Sequence, residues 1–266
     1  MKTTNFYLII ALFVLMGNVL NAQTSIFIAP EIGIQNSKFN TTGDFDISGT
    51  FQTASVDYSG IFSYQGGFGV GIQFADEKWG LMTGLKFNRK GGKYTVESRD
   101  PNNPLGSVNG VNVLGEFTGT TTANFLSIPI LARAQFGNTL KFGLAIGPQI
   151  NMGIGEYSST VEYNLENASL PNEEEKGSFG ESTSDDFKKT HMSLLILPYV
   201  SYTLNPNSSI RFSVMFENGG DMANENLVVN NGDGTSRNVK GTVKNNQFGV
   251  MLSYEYRFDL NLGTKY

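Results

Sequence analysis

The chain has 266 residues, with 31 Gly, 20 Phe and 11 Tyr, a formal charge of −5, one His and no Cys. Without Cys there is no disulfide framework and no lipidated N-terminus; one His leaves no credible zinc site, and the acidic balance argues against a nucleic-acid surface. A mean hydropathy of −0.17 excludes a bundle of apolar helices, but not strands whose two faces differ, because averaging along the chain cancels alternating faces.

In chain order, Lys2 precedes the apolar run at 6–20, which gives way to Asn21-Ala22-Gln23. The run is shorter than the roughly 20 residues a spanning helix needs, and Ala22 offers a small residue at a cleavage point, so residues 1–22 read as a cleavable signal peptide and 23–266 as one mature domain. Strands follow at 24–38, 61–75 and 79–95. The segment GGFGVG at 66–71 continues the alternation of Phe62, Tyr64, Phe68, Val70, Ile72 and Phe74 with no helix after it, so its glycines belong to a curved strand, not a phosphate loop. A further strand is expected at 121–136. The clearest alternation comes next, at 140–155: Leu, Phe, Leu, Ile, Pro, Ile, Met, Ile at even positions against Lys, Gly, Ala, Gly, Gln, Asn, Gly, Gly at odd ones. Sixteen residues of period two separate two rows that no helix could separate. Strands at 190–204 and 209–217 lead to the last, where Phe248, Val250, Leu252, Tyr254, Tyr256, Phe258 and Leu260 alternate with Gln247, Gly249, Met251, Ser253, Glu255, Arg257 and Asp259.

That makes eight strands. Brief turns near 76–78, 137–139 and 205–208 alternate with long polar segments near 39–60, 96–120, 156–189 and 218–241. This alternation predicts an all-β, eight-stranded antiparallel up-and-down transmembrane β-barrel, with every long loop at one end and the short turns and both termini at the other. Outer-membrane localisation, with periplasmic termini and extracellular loops, is the matching expectation. A soluble sandwich or lipocalin-like barrel would also alternate, but with its apolar row inward. Facing the lumen are Glu31, Gln65, Gln73, Lys86, Gln135, Lys141, Gln149, Asn151, Arg211, Glu255 and Arg257. Eight strands leave room for these to fill a closed interior, linking Glu31 and Glu255 to Lys141, Arg211 or Arg257, and little room for a wide channel.

Residues 156–189 hold nine acidic residues against three lysines, which reads as a solvated loop with the charge to attract divalent cations or a basic partner. Asn230-Asn231-Gly232-Asp233-Gly234 is read as a Gly-rich turn, not a calcium loop. The pair His191 and Ser193 is similar to that of outer-membrane lipid A deacylases, a likeness two residues deep; Glu181, Asp185 or Asp186 would have to fold back as the orienting carboxylate. It points to the inward row, and a structural His is the expectation. No catalytic, cofactor-binding or metal residue is assigned, and no cofactor is implied.

With these residues in view, Ala22-Gln23, the Ile-Pro-Ile of 128–130, the Gly-Pro of 147–148 and the aromatic end at 248–260 resemble the PorT-like outer-membrane β-barrel family of Bacteroidetes. The resemblance implies a barrel in the outer membrane, and carries two non-enzymatic roles: a surface or envelope-structural barrel that binds through its loops, or an accessory subunit of a PorT-type secretion apparatus. A lipid-modifying esterase is the remote third. Gln247, Gly249, Leu252 and Tyr254 also resemble the signal read by the outer-membrane assembly machinery, although eight residues follow Phe258. The partners expected are therefore outer-membrane lipid, that machinery during biogenesis, and a secretion-system or surface partner, with no nucleic acid.

Overall fold

A computed structural model of the chain describes residues 24–43, 55–74, 78–99, 105–108, 111–166, 169–180, 182, 186–224, 228–230, 236–238 and 240–260. The expected signal peptide lies outside the described residues. Eight strands form the ring: β1 Thr24–Gly43, β2 Ile61–Gln73, β3 Trp79–Ser98, β4 Gly115–Gly137, β5 Leu140–Gly153, β6 Thr190–Asn205, β7 Ser208–Asp221 and β8 Gly241–Leu260. Each pairs antiparallel with the next. The ring closes where β8 pairs with β1, from Thr24↔Leu260 to Gly43↔Gly241.

Every expected strand is present. Several run further at the long-loop end: β1 to Gly43, β4 from Gly115 and β8 from Gly241. The extra stretches of pairing are rich in Thr, Asn, Lys and Gly, and their few apolar residues, such as Phe39, Phe117 and Val243, are too sparse for alternation of hydropathy to mark a strand.

The faces are inverted relative to a soluble protein. Phe62 is 71 % and Ile32 65 % exposed, and Phe136, Phe142, Leu252 and Phe258 are exposed with them, whereas all eleven residues expected in the lumen are buried. A lipocalin-like barrel is thereby excluded. On β3, ten residues separate Trp79 from Arg89 on the outer face. At ~3.3 Å per residue and a ~40° tilt they rise about 25 Å, the height of an apolar membrane band. Trp79 stands at the short-turn end of that band, and at the other the Arg89 guanidinium lies 6.0 Å from the centre of the Tyr64 ring.

Backbone ladders lapse beside prolines, which bring no N–H. Pairing of β4 with β5 skips from Pro129↔Gln149 to Ala132↔Ile146, so the Ile-Pro-Ile and Gly-Pro motifs face each other across one gap. The hydroxyl of Thr83 donates to the Pro129 carbonyl at 2.8 Å, satisfying an acceptor that lipid would leave bare.

Gly143 serves a different purpose: the Tyr199 ring lies over it, and a Cβ there would stand 2.2 Å from Tyr199 Cζ and 2.6 Å from the Ala134 carbonyl oxygen. Gly143→Ala is therefore expected to lower stability by about 1–3 kcal/mol, the usual cost of overpacking. Urea unfolding in detergent micelles measures this; an unchanged midpoint would mean that the ring is not seated by the glycine.

Candidate functional site

Inside the ring, parity along each strand brings charges together. Near the short-turn end Glu255 accepts a two-pronged contact from Arg133, Nη1 at 2.8 Å and Nη2 at 3.2 Å. It also meets Arg257 Nε at 3.1 Å and Arg211 Nη1 at 3.5 Å. Glu31 takes Lys86 at 2.5 Å and, closer still, Arg211. Arg133 Nε donates to the Tyr199 hydroxyl at 2.9 Å and its Nη2 to Gln135 at 2.7 Å. The expected links of Glu31 to Arg211 and of Glu255 to Arg211 and Arg257 are present, while Lys86 and Arg133 supply partners that sequence reasoning did not name.

Packed beside and among these charges are apolar side chains that the expected polar row did not include: Phe27, Met82, Leu131, Leu195, Leu197, Met215 and Met251 are all buried together, with the Arg133 guanidinium 4.7 Å from the Phe27 ring centre and Arg211 Nη1 3.6 Å from Met82 Sδ. Gln65 reaches among them, 2.8 Å from Met215 Sδ. A second polar cluster follows toward the long loops. Lys90 pairs with Glu217, both fully buried. Asn151 Nδ2 approaches Glu217 at 3.5 Å and Ser193 Oγ at 2.9 Å, and Gln35 donates to Asn88 at 2.7 Å. Arg133, Lys90 and Glu217 share the parity of Gln135, Lys86 and Arg211 on their own strands, a signal from which all three were legible.

The long-loop end of the lumen is roofed by aromatic rings. Phe187 lies 4.8 Å from Tyr157 and 6.2 Å from Phe39, and Phe179 lies 5.3 Å from Phe125. Backbone bonds from Lys188 N to Met222 O and from Gly180 N to Phe187 O hold the segment carrying them across the opening. Segment 156–189 is thus not the solvated loop expected of its charge: its described residues form strands Glu156–Leu165 and Glu173–Ser178 and this roof, because Phe187 buried and Phe179 half-buried over an open barrel outweigh the flanking carboxylates. Asp186 takes the Tyr157 hydroxyl, and burial pushes its carboxyl above the ordinary aspartate range.

His191 sits under the roof, 5.1 Å from the Phe125 ring and edge-on to it. Among the described residues neither ring nitrogen has a hydrogen-bond partner, and Ser193 accepts from Asn151 instead. Both side chains are buried in the inward row, so the base-to-nucleophile contact of the esterase reading is not assembled. Glu181 and Asp185 lie outside the described residues, as do residues 231–234 of the expected Gly-rich turn; the segments on either side pair as Val228–Asn230 with Ser236–Asn238.

Beyond the band the wall continues as a five-stranded sheet, in the order Glu173–Ser178, Glu156–Leu165, the start of β4, the end of β3 and Ser55–Ser59. One face carries a row of rings, with Tyr94 6.3 Å from Phe117 and Phe117 6.2 Å from Tyr163. The other is polar, with Glu97 opposite Glu116 and Thr95 bonded to Thr118 at 3.2 Å. Among the described residues no group of three or more His, Cys, Asp or Glu is arranged to hold a metal ion.

The family described as outer membrane protein beta-barrel domain matches residues 21–199. No curated protein matches the chain in sequence. Solved structures similar in fold include Neisserial surface protein A, 11% identical over 88% of this chain and 97% of that one, with a TM-score of 0.36. OprG from Pseudomonas aeruginosa is 12% identical over 89% and 96%, with a TM-score of 0.42. Ail, the attachment invasion locus protein of Yersinia pestis, in complex with the heparin analogue sucrose octasulfate, is 14% identical over 89% and 99%, with a TM-score of 0.35.

Proposed function

The chain belongs to the outer membrane protein beta-barrel domain family, and from that premise we propose that it is a non-enzymatic surface barrel whose five-stranded sheet and long loops stand outside the cell as a binding or envelope-structural surface. The observation that carries this reading is the division of labour along the barrel axis. The lumen is filled by two polar clusters, apolar side chains packed among them and an aromatic roof, which suits a rigid support and not a conduit, while the wall rises past the band into a sheet with a ring-bearing face. Periplasmic termini and short turns complete the orientation. The Ile-Pro-Ile and Gly-Pro motifs that meet across β4 and β5 support the finer PorT-like likeness, and with it a secretion partner at the short turns as the second reading.

Protease added to intact cells tests the placement of the sheet. The expected result is cleavage between the strands Glu156–Leu165 and Glu173–Ser178, with the trimmed barrel still running faster unboiled than boiled on a detergent gel. Cleavage only after the outer membrane is opened would reverse the orientation and overturn the surface role. Steady unitary currents in a planar bilayer would replace a support with a pore.

A further inference from the structure

We propose that the cavity between the aromatic roof and the inner wall, beyond the membrane band, binds a neutral molecule of one aromatic ring bearing a hydroxyl, the phenol class. The cavity measures about 150 Å³, and the rings of Phe39, Tyr58, Tyr94 and Phe187 line it together with Val243 and Thr41. A cavity of that volume with apolar walls takes a benzene-sized guest. The inference goes beyond the surface role above and stands whichever way the barrel faces.

Parity and register assemble this wall. Thr41 stands opposite Val243 where β1 meets β8, and Tyr58 opposite Tyr94 where Ser55–Ser59 meets β3. Thr41, Val243 and Tyr94 continue the inward rows of their strands, and Tyr58 shares the face of Tyr94. Gly92 lets β1 come close beneath them: a Cβ there would stand 2.7 Å from Phe39 N. Lys93 also borders the cavity, but its parity turns the side chain to the outer face. Pairing of β1 with β2 ends at Ser37↔Ile61, and beyond it Ser55–Ser59 pairs with β3 alone among the described residues. A seam therefore separates Thr41 from Tyr58 and gives the cavity its mouth.

One atom sets the chemistry of the guest. Thr41 Oγ1 is buried and, among the described residues, has no hydrogen-bond partner. The hydroxyl of Thr121, also in the lining, is engaged with Ser159 at 3.1 Å, and that of Thr42 with Thr242 at 2.8 Å. A buried hydroxyl left bare is unfavourable, and a guest with one polar group relieves it. A ring with a single hydroxyl supplies that group and turns its apolar edges to the surrounding rings, edge-on or offset. A sugar would bring several hydroxyls to a lining that answers one, and a charged guest would leave water for walls that are largely aromatic.

Fluorine NMR of the whole barrel in phospholipid nanodiscs, titrated with 4-fluorophenol and separately with fluorobenzene, tests this; nanodiscs without protein report partition into the bilayer alone. The expected result is a saturable shift for both probes, with 4-fluorophenol bound about fivefold to tenfold more tightly, the range of one hydrogen bond to a buried hydroxyl. Val243→Phe fills the cavity and should abolish the saturable shift. Thr41→Val keeps the shape and removes the hydroxyl, so it should bring 4-fluorophenol down to the level of fluorobenzene, whose binding stays as in the parent. Without probe, the same variant should leave the urea midpoint unchanged or raise it, because an unsatisfied group is gone; both readouts hold should Val243→Phe fail to give the heat-modifiable band of a folded barrel. No saturable shift in the parent overturns the proposal, as do a folded Val243→Phe barrel that still binds and equal affinity of the parent for the two probes. A Thr41→Val barrel that keeps the preference for the hydroxyl, or that unfolds at a lower midpoint, overturns it as well.

Discussion

Glu255→Gln is expected to cost about 3–5 kcal/mol, the range for breaking a buried ion pair from one side. The carboxylate is fully buried and stands between Arg133 at 2.8 Å, Arg257 at 3.1 Å and Arg211 at 3.5 Å. An amide of the same shape keeps the packing and removes the charge on which the three guanidiniums converge, while Glu31 is already shared between Arg211 and Lys86. Glu217→Gln should cost less, because among the described residues that carboxylate answers a single cation, Lys90. Urea midpoints in detergent micelles, read by the shift between folded and unfolded gel mobility, order the two variants. Equal midpoints would show that the Glu255 cluster is not the electrostatic centre of the barrel.

The ring itself was legible because a membrane barrel repeats one rule at every strand. Leu140 to Gly155 displays it without interruption, and the eleven inward polar residues follow from parity alone. What parity does not give is height. Lys86 meets Glu31 and Arg133 meets Glu255 across the lumen because the strands' stagger sets them at one level, and that stagger is a property of ring closure that no single strand encodes. Lys141 shares the inward row with Glu255 but sits lower, at the short-turn end of the lumen. The roof was hidden for another reason. Phe179 and Phe187 are isolated apolar residues in a segment dominated by carboxylates, where no period marks them, and their packing depends on Phe39 and Phe125 arriving from two other strands and on Tyr157 from the far start of the same segment. The strands beyond the band were missed in part because the outer sheet is polar on one face and only sparsely aromatic on the other, so Gly115 to Thr120 looks like loop until its neighbours are known.

Ile146→Arg is expected to destabilise the barrel in phospholipid vesicles by about 2–4 kcal/mol, the cost of a lipid-facing Arg at the bilayer midplane. Ile146 points outward midway between Phe142 and Ile150 on β5, opposite Ala132 on one side and Ile196 on the other. It is 39 % exposed, and at such a position in a water-soluble protein an arginine would cost almost nothing. Thr160→Arg, on the sheet beyond the band, provides the contrast and should change stability by no more than about 0.5 kcal/mol. The difference between the two substitutions measures depth: it arises only if the exposed isoleucines, leucines and phenylalanines of the outer row face hydrocarbon. Guanidine unfolding of both variants in the same vesicles gives that difference directly. Equal, small effects would place Ile146 in water and remove the membrane from the account of why so large an apolar surface is left uncovered.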